Sequence, residues 1–170
     1  MGIKRFSGWF KKHIARHTQY FNPENIPKIT IDELLLDLNG IIHTAAQKTF
    51  KYGAYAKPSK SPEKTVPSDE TCYKEVCNMI EEFMNLTNAK RLVMAIDGVA
   101  PIAKQQQQRQ RRYKTVLEED ITKISFNPVS ISPGTPFLRG CSDYIEKFAM
   151  ERTISKNWDV IFSDDEQPGE

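Results

Sequence analysis

The apolar and polar positions divide the chain into short elements joined by clear breaks. Ile3, Phe6, Trp9, Phe10 and Ile14 recur at helical spacing with lysines and arginines between them, which predicts an amphipathic basic helix over residues 4–17. Asn22-Pro23 and Ile26-Pro27 end it. Residues 29–38 read as a strand closing on Leu34-Leu35-Leu36-Asp37, an apolar run that suits a central strand of a parallel sheet. A helix follows over 40–50. Residues 52–68 hold Pro58, Pro62 and Pro67 among Lys and Ser, the composition of an exposed loop. Ser68 is placed to cap a helix over 69–86. A second apolar run, Leu92 to Ile96, makes a strand over 91–97 that ends on Asp97. Pro101 precedes a long polar helix over 102–119, and Ser132-Pro133-Gly134-Thr135-Pro136 forms a turn. A helix over 137–154 and a strand over 158–162 lead into an acidic end. The order α-β-α-α-β-α-α-β implies an α/β fold, a parallel sheet with helices on its faces.

Composition narrows the class without naming a function. A chain of 170 residues, 39% apolar and 27% charged, is ordinary globular protein and suits one domain or the first part of a larger one. Its apolar runs are far too short to span a bilayer. The net charge of +2 is uninformative, but its distribution is not. Residues 1–23 and 101–115 carry lysines and arginines and no acid, while acids gather at Glu118-Glu119-Asp120 and Asp164-Asp165-Glu166. Separate basic and acidic zones fit a protein that grips a polyanion and holds cations. The cysteines, Cys72, Cys77 and Cys141, are odd in number and form no CxxC pair, so reduced intracellular thiols are the expectation. The basic N-terminal helix fits a docked first helix, a transit peptide or a surface anchor. It lacks the apolar core of a secretory signal, and Phe6 stands where a myristoylation signal after Gly2 needs Ser or Thr.

The candidate chemistry lies at strand ends. Asp37 and Asp97 each close an apolar strand, and in open α/β sheets the ligand crevice lies at the carboxyl ends of the strands. Glu170 follows a third strand, so three carboxylates are in place to converge. Such clusters suit Mg²⁺ or Mn²⁺ and phosphodiester hydrolysis. The competing reading is that each Asp caps the helix behind it. Lys104, Gln108, Arg111 and Arg112 fall on one helix face, where Lys, Arg and an amide form a phosphate-binding set; a solvated helix face is the plainer account. His43 and Tyr113 are candidates to stack on bases, or are structural. His13 and His17 are spaced to share a metal but have no acid or cysteine near them in sequence, which favours surface positions. No catalytic serine arrangement, P-loop or GxGxxG is present.

Several stretches resemble the Xrn-type 5′-3′ exoribonuclease family. They are Met1-Gly2-Ile3 before a Lys/Phe-rich helix, Leu36-Asp37-Leu38-Asn39-Gly40-Ile41-Ile42-His43, and Met94-Ala95-Ile96-Asp97-Gly98-Val99-Ala100-Pro101. The stretch 103–113, Ser130-Ile131-Ser132-Pro133-Gly134-Thr135-Pro136-Phe137, and Phe162-Ser163 through Pro168-Gly169-Glu170 continue the series in order. The resemblance implies the α/β nuclease core shared with flap-endonuclease and PIN-like proteins, here the N-terminal part of one nuclease domain over 1–170. It implies that Asp37, Asp97 and Glu170 are metal ligands for two Mg²⁺ or Mn²⁺ ions. It implies that Lys104, Gln108, Arg111 and Arg112 hold an RNA 5′-monophosphate, and that His43 and Pro101 pack against the first bases. The N-terminal helix would exclude duplex.

The expected function is hydrolysis of 5′-monophosphorylated single-stranded RNA to mononucleotides in RNA decay. The expected setting is inside the cell, cytoplasmic or nuclear, away from membranes, with the intact protein a monomer. Departures are Lys4 where the family has Pro, Ile102 where it has a basic residue, and Asp164-Asp165-Glu166-Gln167 where it often has Gly-His-Glu. The family's second Glu just downstream and its later Asp-rich motif are not in this sequence. These absences lead to the expectation of an inactive fragment with an exposed sheet edge and marginal stability. The alternatives are a non-catalytic RNA 5′-end binding module and a flap-type DNA nuclease.

Overall fold

The structure is a computed structural model that describes residues 5–14, 31–56, 67–118 and 126–167. Three strands, β1 (Glu33–Asp37), β2 (Arg91–Ala95) and β3 (Asp159–Ser163), form one parallel sheet in the order β1-β2-β3. The register pairs Leu34 with Leu92 and Leu92 with Val160, then Leu36 with Met94 and Met94 with Phe162. The helices are α1 (Phe6–His13), α2 (Leu38–Phe50), α3 (Asp69–Thr87), α4 (Ile102–Glu118) and α5 (Pro136–Lys156), so the element order is the one the hydrophobic pattern predicts. The α1 ends at 4 and 15–17, the breaks at Pro23 and Pro27, and residues 57–66 of the loop lie outside the described residues.

Period-two alternation sends Leu34, Leu36, Leu92, Met94, Val160 and Phe162 to one face of the sheet. There they meet Leu38 and Ile42 of α2, Val76 and Ile80 of α3, and Leu138 and Ile145 of α5. The opposite face carries the paired row Leu35, Val93 and Ile161. Leu35 is 68% exposed and Ile161 53%. Among the described residues the core therefore lies on one face of the sheet. The leucine run of β1 reads as a central strand but, among the described residues, occupies an edge, with only its even-numbered leucines packed. Right-handed crossovers that step across a sheet in one direction deliver successive helices to the same side, which accounts for the asymmetry. Burying a Leu or Ile side chain is worth about 1.5–3 kcal/mol, and the open row forgoes that.

Local signals fix the helix ends. The Ser68 hydroxyl accepts the Thr71 amide at 3.4 Å, as an N-cap should. Helices α2, α3 and α5 end on left-handed residues, Lys51, Asn88 and Asn157. At the α3–α5 contact, Tyr73 donates to the Phe137 carbonyl at 3.0 Å, and Arg152 and Lys156 both reach Glu81. Phe126 stacks on Phe50 at 4.3 Å, tying the 126–135 segment to α2. Cys72, Cys77 and Cys141 are free and buried. Helix α1 forms but buries none of its residues. No described helix is long and apolar enough to cross a membrane.

Candidate active site

The carboxyl ends of β1 and β2 lie side by side because the strands are parallel neighbours. Asp37 closes β1 opposite Ala95, and Asp97 follows two residues later. A further bond from the Ile96 amide to the Ser163 carbonyl, at 3.0 Å, brings β3 to the same end. Asp37 is also the N-cap of α2: its Oδ1 accepts the Asn39 amide at 3.1 Å. Capping occupies one carboxylate oxygen in a single bond, and a carboxylate has further lone pairs to offer. The two readings of Asp37 are thus compatible in one residue.

Helix α4 starts close behind Asp97. The Pro101 carbonyl accepts the Gln105 amide at 3.0 Å, and the Gln105 side chain donates to the Ala100 carbonyl at 2.7 Å. This pins the first turn so that Lys104 points back toward β2, its Nζ 3.8 Å from Asp97 Oδ2. Lys104 is the more buried of the two, with 20% of its side chain exposed against 38% for Asp97. Gln108, one turn on, is half-buried. Arg111 and Arg112 continue the same helix, with side chains outside the described ones. Tyr113 and Pro101 are exposed. His43 is exposed on α2, and partial desolvation of its ring pushes the imidazole pKa below its ordinary value. His13 lies exposed on α1 against Trp9, at 5.6 Å between ring centres, while His17 lies outside the described residues.

Three residues matter here that pattern reading did not single out. Gly98 is buried, and a Cβ built on it would fall 1.7 Å from the Gln167 carbonyl oxygen and 3.1 Å from that of Asp165. The turn after β3 therefore lies directly on the turn after β2. Asp165 is only 5% exposed, and its buried Oδ1 has no hydrogen-bond partner among the described residues. Arg139, in the first turn of α5, stands 3.8 Å from that oxygen and 2.5 Å from Glu166 Oε1. In the sequence, Asp165 was one of an acidic run and Arg139 one of many surface cations; only the strand order shows them meeting.

Asp37 and Asp97 supply hard oxygen donors of the type Mg²⁺ and Mn²⁺ prefer. Among the described residues no group of three or more His, Cys, Asp or Glu is gathered to hold a metal, and Glu170 lies outside them. The fold and these residues define a parallel α/β domain with carboxylates and a basic helix at one end of its sheet. Residues 1–170 match the family described as XRN 5'-3' exonuclease N-terminus, and the chain belongs to that family. It is 30% identical to 5'-3' exoribonuclease 1 of Schizosaccharomyces pombe over 187 residues, covering 100% of this chain and 13% of that protein. With the human 5'-3' exoribonuclease 1 it shares 27% identity, covering 100% of this chain and 10% of the relative. With 5'-3' exoribonuclease 2 of Gallus gallus it shares 31% over 86% of this chain and 17% of the relative. The chain thus spans a small fraction of the length of these proteins.

Proposed function

We propose that the protein is a metal-dependent 5′-3′ exoribonuclease that degrades 5′-monophosphorylated single-stranded RNA to mononucleotides, in RNA decay inside the cell. The observation that carries the reading is the approach of Lys104 to Asp97, one residue of the α4 basic set beside one of the strand-end acids. Asp37, Asp97 and Glu170 would hold two Mg²⁺ or Mn²⁺ ions. When bound, the metal supplies Lewis acidity at the scissile phosphate and acidifies a water for attack. Lys104, Gln108, Arg111 and Arg112 bind the terminal phosphate, which fixes the register of the first linkage against the acids. Lys104 offers a point charge and the arginines a donor fork. A pocket that closes on one phosphate rejects capped and triphosphate ends by size. His43 and Pro101 pack against the first bases, and α1 keeps duplex from entering.

Three carboxylates are few donors for two ions. Residues 1–170 by themselves are accordingly proposed to be inactive. The test incubates the natural full-length protein, with Mg²⁺ or EDTA, with 5′-phosphate RNA, 5′-hydroxyl RNA or flap DNA. The expected result is mononucleotide release from 5′-phosphate RNA alone, stopped by EDTA. Tight binding of that RNA without cleavage would make the protein an RNA 5′-end binding module. Cleavage of flap DNA in preference to RNA would make it a structure-specific DNA nuclease.

A further inference from the structure

The turn after β3 is held from two sides. On one side it rests on Gly98, where there is no room for even a methyl group. On the other it is gripped by Arg139, which bonds Glu166 at 2.5 Å, stands 3.8 Å from Asp165 and lies 3.6 Å from Asp143 of its own helix. The turn also braces itself, the Glu166 amide donating to Asp164 Oδ1 at 3.1 Å. Asp165 is the odd member, a carboxylate taken out of water with no hydrogen bond to its inner oxygen from the described residues. Such a group is tolerated only where a cation compensates it, and Arg139 is the cation the structure places there. The platform behind Arg139 is firm: the Thr135 hydroxyl caps α5, accepting the Leu138 amide at 3.3 Å, and also bonds the Ser130 and Ser132 carbonyls.

We propose that Arg139 is a positioning residue for the active site: by clamping Asp165 and Glu166 it presses the 164–167 turn onto Gly98 and so sets where Asp97 stands. The chain of contact runs from α5 through the turn to the residue next to Asp97, with no contact between Arg139 and substrate required. The inference rests on the reading of Asp97 as a metal-binding acid. A loose turn lets Asp97 drift, which weakens metal use, while the α4 phosphate site stays in place.

The test compares Arg139→Met, Arg139→Lys and Arg139→Met/Asp165→Asn with the natural full-length protein. Arg139→Met is expected to raise the Mg²⁺ concentration for half-maximal rate and lower kcat about tenfold or more, with KM for 5′-phosphate RNA within about twofold. Arg139→Lys should recover part of the loss. The double variant, which removes the stranded charge as well, should lie closer to the natural protein than Arg139→Met alone. Hydrogen exchange of segment 164–167 provides a readout independent of turnover, expected to quicken about tenfold in Arg139→Met while β2 stays protected. Unchanged exchange of this segment, or quickened exchange with unchanged Mg²⁺ dependence and kcat in an active protein, would overturn the proposal. An inactive natural protein would defeat the exoribonuclease reading and with it the metal role of Asp97, whereas quickened exchange would still locate the clamp.

Discussion

Gly98→Ala puts the smallest possible group into the contact between the two site turns. The new Cβ would meet the Gln167 carbonyl oxygen at 1.7 Å and its carbon at 2.7 Å, both backbone atoms that cannot swing aside like a side chain. To reach even a tight 3.0 Å contact, the turns must part by about 1.3 Å, an overpacking that costs roughly 1–3 kcal/mol. For a domain of roughly 150–250 residues each kcal/mol lowers Tm by about 2–4 °C, and by less in a longer protein. The same shift displaces Asp97, the neighbouring residue, and a misplacement of about 1 Å at a reacting centre costs on the order of a hundredfold in rate. Thermal unfolding and single-turnover cleavage of 5′-phosphate RNA by the full-length protein read the two effects. Gly98→Ala with unchanged Tm and unchanged rate would refute the contact and the argument built on it.

Other substitutions separate readings that share a residue. Asp37→Asn keeps a side chain that caps α2, so stability should hold within about 0.5 kcal/mol while cleavage is lost; Asp37→Ala should lose cleavage and about 1 kcal/mol in urea unfolding. On the open face, Ile161→Thr should change stability by no more than about 0.5 kcal/mol, whereas Met94→Ala on the packed face should cost about 2–5 kcal/mol, again by denaturant titration. Burial pushes the Cys72 and Cys77 thiols up to about 12, so alkylation at pH 8 should require unfolding. Because the unfolded thiols ionise near 9 and the folded ones do not, their contribution to stability is complete below about pH 9 and is lost as pH rises toward 12, which unfolding curves across that window check.

Much of the architecture was legible because its causes are local. Ser68 and the apolar runs at 34–36 and 92–96 dictate a helix start and strands through neighbouring residues alone, and the order of elements then compels a parallel sheet. The two aspartates were legible for the same reason, Asp37 closing its strand and Asp97 standing two residues past the end of its own. What escaped the sequence depends on which elements meet. Leu35 and Leu36 are chemically identical, and only the placement of α2, α3 and α5 on one side leaves the first exposed and the second packed. Gly98 looks like a turn residue, yet its need is for space, set by Gln167 sixty-nine positions away. Asp165 reads as one more acid in a solvated run until β3 carries it under Arg139. The long-range consequences of strand order thus supplied the parts of the site that spacing could not.

The central claim is that the basic face of α4 and the strand-end acids work as one site for an RNA 5′-phosphate. The most direct measurement is the ratio of cleavage rates on 5′-phosphate and 5′-hydroxyl RNA for the full-length protein and its Lys104→Ala/Arg111→Ala variant. The account predicts a strong preference for the phosphate in the natural protein that collapses to near unity in the variant. An undiminished preference in the variant would contradict it.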